Sequence, residues 1–354
     1  MNIVIEIMHG MGDVVCMLPL IKEVRNKYID ANITVLVNKK ITVDILKCSD
    51  IRIERIIPIN AHDNLVGFIK TCLKLRKEKI DISISAGNTP VKKAKLMMAL
   101  VGAKEKVGLQ FSKGICGSDL EDKYHFVDTQ LLALEQMGIE NHHYQPSLIP
   151  NIDEVKKFQE EIVQEGAIVG ICIGRGDITY KDPKKRKNPV YTRGWGNLDE
   201  HVSNVLDLIK RVSDSQHVVL LIGGKQEKEI IDRILPKLSN RPNIYNFVGK
   251  TSVSESISLA SICDVVVGVD TGMQHIADAL GVKTVSLFGP TNPKTHGAYS
   301  SNAIFAQVQE KCRYCYGTNL YVECPTRKCM NRITPSMVFE LIERSLERKN
   351  QNGY

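Results

Sequence analysis

Apolar residues along the chain fall into two alternating patterns: short unbroken runs, and longer segments in which they recur every three or four residues. The unbroken runs predict strands at 3–7, 33–37 and 80–84, and again at 167–173, 217–222, 244–248, 265–269 and 284–288. The spaced pattern predicts helices at 14–24, where Pro19 should kink or delay the helix, and around 65–76, 91–101 and 127–137. Ser252 and Glu255 have capping-box spacing at the start of a further helix. Thr334 and Pro335 open a last one, with apolar positions at Val338, Leu341, Ile342 and Leu346. A strand apolar at successive positions, such as 265–269, has to be covered on both faces, which calls for a parallel sheet with helices above and below. This α/β order occurs twice, on either side of the polar, proline-bearing stretch 145–151. Two domains are therefore predicted, 1–150 and 151–334, the second carrying a cysteine-rich segment at 312–329.

Composition narrows the class. A chain of 354 residues with 43% hydrophobic and 25% charged positions has material for two cores. No apolar run approaches the roughly 20 residues of a membrane helix. The N-terminus, Met-Asn-Ile-Val-Ile-Glu-Ile, opens directly on a strand without a secretory cleavage pattern, so a cytoplasmic location is expected. The formal charge of +7 is mild; it favours anionic ligands or a membrane surface and does not call for nucleic acid. Cys16, Cys72, Cys172 and Cys263 lie in apolar segments and are expected to be buried, reduced thiols.

The polar residues that could carry chemistry gather where strands give way to helices. Asp270, Thr271 and Gly272 follow the strand at 265–269, with Thr271 suited to an N-cap, Gly272 to close backbone approach, and His275 in the first helical turn. Open N–H groups, the positive end of a helix dipole and an imidazole suit a phosphate or diphosphate; equally, Asp270 and Thr271 could only cap the helix. The same triplet marks aspartic proteases, but those need two carboxylates and it occurs here once. Near the N-terminus, Gly10-Met11-Gly12-Asp13 is not a dinucleotide fingerprint, because Val15 stands at the third glycine and the second strand ends in Val37-Asn38-Lys39-Lys40 without an acid. Asp13 is a candidate general base at a strand end, or else an acid that complements its own helix dipole.

Taken in order, Gly12-Asp13-Val14-Val15 with Pro19-Leu20, Phe247-Val248-Gly249-Lys250-Thr251-Ser252, Asp270-Thr271-Gly272 with His275, and Leu287-Phe288-Gly289-Pro290-Thr291 resemble glycosyltransferase family 9, the heptosyltransferases of lipopolysaccharide core assembly. The resemblance implies a GT-B architecture, two facing Rossmann-like domains with a central cleft, and a final helix, 335–354, crossing back to the N-terminal acceptor domain. It implies an inverting, metal-independent transfer of a sugar from a nucleotide-diphospho-sugar donor, ADP-heptose in the best-known members, to a glycan or glycolipid acceptor. No cofactor is required for catalysis on this reading, and peripheral contact with the inner face of the membrane is expected. By the family pattern Asp13 is the base, and Gly12, Asp270, Thr271, Gly272 and His275 lie at the donor. The chain holds no Asp-x-Asp pair for a divalent ion, so the leaving diphosphate must be met by helix N-termini and basic side chains. Where many relatives carry a Lys-Arg-Trp-Pro-like segment, this sequence has Arg175 and, after the loop 181–187, Arg193-Gly194-Trp195; Arg193 is the nearest equivalent and Arg175 the second. The loop 181–187 is a solvated run of charge or a contact for an anionic acceptor or membrane. Gly224 and Glu227 follow another strand and by resemblance lie near the donor's nucleoside.

Two other readings compete: a nucleotide-sugar epimerase or hydrolase of the same fold, and a non-catalytic nucleotide-sugar-binding protein. A last cluster, Cys312, Cys315, Cys324 and Cys329, has spacing compatible with a tetrahedral structural zinc or iron, or with reduced or partly paired thiols.

Overall fold

The computed structural model describes residues 1–7, 10–59, 64–87, 89, 91–108, 123–163, 165–174, 193–316, 318, 320–321, 324 and 326–348. The chain divides into two compact units, Met1–Ile149 and Pro150–Tyr354.

In the first unit β1 (Asn2–Ile7), α1 (Met11–Lys27), β2 (Asn32–Val37), α2 (Val43–Lys47), β3 (Arg55–Pro58), α3 (Leu65–Arg76), β4 (Ile82–Ser85), α4 (Val91–Val101), β5 (Glu105–Val107) and α5 (Phe126–Leu131) follow one another. The strands form one parallel sheet in the order β3-β2-β1-β4-β5. The central strands β1 and β2 carry only apolar or buried positions over most of their length, because helices cover both faces. Pro19 does not delay α1: the helix begins at Met11 and Pro19 lies inside it. The segment predicted as one helix at 127–137 is α5 followed by a 3-10 turn, Leu132–Met137, which ends at Gly138 in the left-handed conformation.

The second unit contains α6 (Ile152–Glu161), β6 (Ile168–Cys172), α7 (Leu198–Asp214), β7 (Val218–Ile222), α8 (Lys228–Ile234), β8 (Ile244–Asn246), α9 (Val253–Ser261), β9 (Val265–Val269), α10 (Gly272–Ala279), β10 (Lys283–Leu287), α11 (Pro293–His296), β11 (Ala303–Ala306), α12 (Lys328–Asn331) and α13 (Pro335–Glu347). Its parallel sheet has the order β8-β7-β6-β9-β10-β11. Numbered within the unit this is 3-2-1-4-5-6, the doubly wound Rossmann order, with its switch point between β6 and β9. The capping box at Ser252 and Glu255 forms as the spacing predicts. In α13 Thr334 caps and Pro335 takes the first turn. Its buried apolar residues, Val338 and Ile342, join the core shared with β9, β10 and α7 within the second unit.

β3, β5 and β11 escape the hydrophobic pattern. Each has three or four residues, is partly exposed, and lies at or next to a sheet edge, where apolar runs are not required.

Candidate functional site

Of the predicted donor residues, Arg193, Asp270, Thr271, Gly272 and His275 lie around the switch point of the second unit. Sheet order places the ends of β6 and β9 side by side, and in such sheets ligands bind beyond the carboxyl ends of the strands at this point. The sheet closes tightly there. A Cβ on Gly268, in β9, would lie 2.9 Å from Cys172 Cβ and 3.0 Å from Gln274 Nε2, so only glycine lets β6, β9 and the start of α10 approach this closely.

Asp270 emerges from β9 and is 4% exposed. Its Oδ2 accepts two bonds: Arg193 Nη1 donates at 2.7 Å and Thr291 Oγ donates at 2.8 Å. Three loops, those after β6, β9 and β10, therefore converge on one carboxylate oxygen. Burial pushes the Arg193 guanidinium toward neutrality, but the charge and hydrogen bond of Asp270, with Tyr316 and Tyr321 beside it, raise its pKa above the ordinary arginine value. Its Nε has no hydrogen-bond partner among the described residues, and its guanidinium lies 5.7 Å from the Tyr316 ring centre. The result is a fixed, fully charged cation at the head of the sheet, a quarter of its side chain open to solvent.

The segment holding Arg193 is anchored behind it. Trp195 is 2% exposed and donates its indole N–H to Ile333 O at 2.7 Å. His201, from α7, accepts the Trp195 N–H at Nδ1 (3.1 Å), which leaves Nε2 to donate to Ile173 O at the end of β6 (3.0 Å). One imidazole in a single tautomer thus ties the arginine loop to the central strand. Nothing in the spacing of His201 announces that role. Thr291 could be read as part of its motif but not as a partner of Asp270.

α10 starts at Gly272. Thr271 occupies the N-cap in extended conformation, as predicted, but its hydroxyl makes no capping bond. The first-turn N–H groups of the helix lack intrahelical acceptors by geometry. His275 is half-buried in that turn. Gln274, missed in the sequence, is 2% exposed; it accepts from Ser286 Oγ at 2.7 Å and pins α10 to β10. After β7, Gly224 donates its N–H to Glu227 Oε2 at 2.6 Å, and a Cβ on Gly174 would lie 3.3 Å from Glu227 Oε1. Glu227 therefore stands at the end of β6 as well as β7. Arg175 and the loop 181–187 lie outside the described residues.

In the first unit Asp13 is the third residue of α1. Its Oδ2 accepts the Gly10 N–H at 2.9 Å, a bond that holds the carboxylate at the start of α1 next to Gly12. Both roles foreseen for Asp13 remain compatible with this placement, since a cap fixes a carboxylate without removing it.

Cys312, Cys315, Cys324 and Cys329 are thiols without a disulfide. Burial pushes the Cys329 thiol up to about 12, and the charges of Cys315, Cys312 and Cys324 add to the rise. Among the described residues, however, no group of three or more His, Cys, Asp or Glu is placed to hold a metal ion. The same segment backs the site: a Cβ on Gly289 would meet Cys329 Sγ at 2.8 Å, and Tyr314 and Tyr316 donate backbone N–H groups to Gly289 O and Pro290 O.

Residues 192–324, which include Arg193, Asp270, Thr291 and three of the four clustered cysteines, match the model of glycosyltransferase family 9 (heptosyltransferase). Over that segment the chain is similar to family 9 glycosyltransferases. Lipooligosaccharide heptosyltransferase 2 of Campylobacter jejuni (serotype O:6) is 28% identical over 136 residues, covering 37% of this chain and 42% of that protein. The chain thus spans about two fifths of the length of the curated relatives it matches at the head of the comparison. Among solved structures, ADP-heptose lipopolysaccharide heptosyltransferase II of E. coli superposes with a TM-score of 0.74 at 20% identity, covering 99% of this chain and 100% of that one. A glycosyltransferase family 9 protein of Veillonella parvula gives 0.74 at 16%, covering 98% and 97%. These likenesses establish the fold, the GT-B class of paired Rossmann-like units, with the matched segment making up most of the second. No helix among the described residues is long and apolar enough to cross a membrane.

Proposed function

We propose that the protein is an inverting, metal-independent glycosyltransferase that moves a heptose from ADP-heptose to a lipopolysaccharide-type glycan acceptor. The observation that carries this reading is the Arg193–Asp270–Thr291 cluster at the switch point, within the segment similar to family 9. A nucleotide-diphospho-sugar leaves as a nucleoside diphosphate, whose growing negative charge has to be met. Arg193 supplies a permanent cation and a two-pronged donor, and the first-turn N–H groups of α10 add dipole and hydrogen bonds. A carboxylate cannot itself bind a diphosphate, so Asp270 serves by holding Arg193 in place. Thr271, Gly272 and His275 line the diphosphate's neighbourhood, and Gly224 and Glu227 that of the nucleoside. In this reading the first unit contributes Gly12 and the base, Asp13, which takes the proton of the acceptor hydroxyl as its oxygen attacks the anomeric carbon. Configuration inverts because the attack and the departure of the diphosphate occur on opposite faces. The relatives matched by name, lipooligosaccharide and lipopolysaccharide heptosyltransferases, support heptose as the sugar and the lipid-linked core as the acceptor class.

The reading is tested by incubating the protein with ADP-heptose in the presence of a chelator, with and without acceptor. Product that appears only with acceptor, and at full rate without metal, is expected. ADP release that ignores acceptor would instead mark a hydrolase, and unaltered ADP-heptose under all conditions a binding protein. Zinc or iron on the four cysteines is a separate expectation that rests on their spacing in the sequence alone, and metal content of the purified protein measures it.

A further inference from the structure

The geometry points to a membrane-docking face on the first unit, formed by α3 and α4, whose partner is the surface of an anionic phospholipid bilayer. Residues 65–106 carry ten Lys or Arg against three Asp or Glu, an excess equal to the formal charge of the whole chain. The rest of the protein is balanced, so the charge is localised here. Helical spacing sets four of the basic residues, Lys70, Lys77, Lys92 and Lys95, on the outward faces of the two helices. In α3 the buried positions are Phe68, Cys72 and Leu75, and the opposite face presents Val66, Lys70, Leu73 and Lys77 in register. In α4 Ala94, Met97, Met98 and Val101 are buried, and the opposite face presents Lys92, Lys95 and Leu96. The two helices are packed neighbours, further linked by a bond from Arg76 Nη1 to Ala99 O, so their outward faces are adjacent.

Two features separate this face from an ordinary solvated one. First, its apolar residues are exposed: Val66 is 63% exposed, Leu73 44% and Leu96 48%, with Leu65 and Val91 at the helix starts at 59% and 40%. Second, no ion pair among the described residues takes up Lys70, Lys74, Lys77, Lys92 or Lys95, whereas the nearby acids Glu78 and Asp81 are paired with Arg55 and Lys104. Lysines interleaved with exposed Leu and Val match the boundary of a lipid bilayer, where apolar side chains enter the acyl region and long basic stems reach the phosphates. A nucleic-acid surface would use the lysines and leave the leucines wet. The inference shares with the proposed function only the expectation of a lipid-linked acceptor, and its test does not use the transfer reaction.

The test is co-sedimentation of the full chain with vesicles of phosphatidylcholine alone and of phosphatidylcholine mixed with phosphatidylglycerol. Binding to the mixed vesicles only, weakening as salt rises, is expected. Lys70→Gln and Lys92→Gln should each reduce partitioning about fivefold, the effect of one basic side chain at an anionic surface. Leu73→Ser with Leu96→Ser should reduce it while leaving the salt dependence in place. Lys237→Gln, an exposed lysine of the second unit, is the control and should change nothing. Equal binding to both vesicle types, no binding to either, or an equal loss on Lys237→Gln would overturn the assignment. So would binding to duplex DNA, but not to vesicles, that is lost in Lys70→Gln. Each variant is exposed and leaves the donor site intact, so nucleotide binding that persists separates failure here from failure of the proposed reaction.

Discussion

Both units place an acid just past the end of a central strand, and the two acids are used differently. Asp13 turns back on its own helix and accepts the N–H of Gly10, three residues away. Asp270 turns away from its helix and accepts from Arg193, 77 residues earlier, and Thr291, 21 residues later. A local cap leaves the carboxylate's chemistry at hand for an acceptor. A long-range ion pair spends the carboxylate on holding a cation still. Identical side chains at similar turns thus become a candidate base in one unit and a positioning group in the other.

The sharpest way to break this contrast is Asp13→Asn. An amide retains most of the capping bond but cannot take a proton, so turnover should fall by at least about 10²-fold while donor affinity holds. A near-normal rate would reduce Asp13 to a helix cap. Next in size is Asp270→Asn. With its charged anchor gone Arg193 should wander, weakening ADP binding about tenfold and costing the second unit about 1–2 kcal/mol of stability. If Asp270 merely repelled the diphosphate, the same change would tighten binding, and titration calorimetry distinguishes the two. His275→Ala should weaken ADP binding by several-fold, the loss of one hydrogen bond, and an unchanged affinity would remove His275 from the site.

The smallest effect lies in the first unit, away from either acid. His142 Nδ1 is 3.0 Å from Glu23 Oε2, and that hydrogen bond and charge raise the imidazole above its ordinary 6.5. Its folded pKa exceeds its unfolded one, so protonated His142 adds stability that is complete below the unfolded value and lost as pH climbs through the folded value. His142→Asn should therefore lower the melting temperature at about pH 6 more than at about pH 8. The difference should be slight, because the ring is largely exposed.

The same distinction explains what could be read from the sequence. Buried strands such as β9 were legible because a strand covered on both faces must be apolar throughout, and α3 and α4 because their helical period is regular. The edge strands β3, β5 and β11 were not, since a partly exposed edge imposes no pattern. Within the site, Asp270, Thr271, Gly272 and His275 could be found because strand, turn and helix put them in sequence. His201, Gln274 and the bond from Thr291 to Asp270 arise only when distant loops meet at the switch point, and no local spacing encodes them. Arg193 was reachable only through its motif. Its partner belongs to tertiary structure.

In the proposed reaction a cation held by Asp270 receives the donor's diphosphate without a metal. Titration calorimetry of ADP-heptose, in the presence of a chelator, against the wild-type chain and Arg193→Ala tests it most directly. Binding by the wild type that is weakened about 10- to 100-fold in the variant, as expected for losing a charge-assisted pair of hydrogen bonds, is the predicted result. Equal affinity in the two proteins would contradict it.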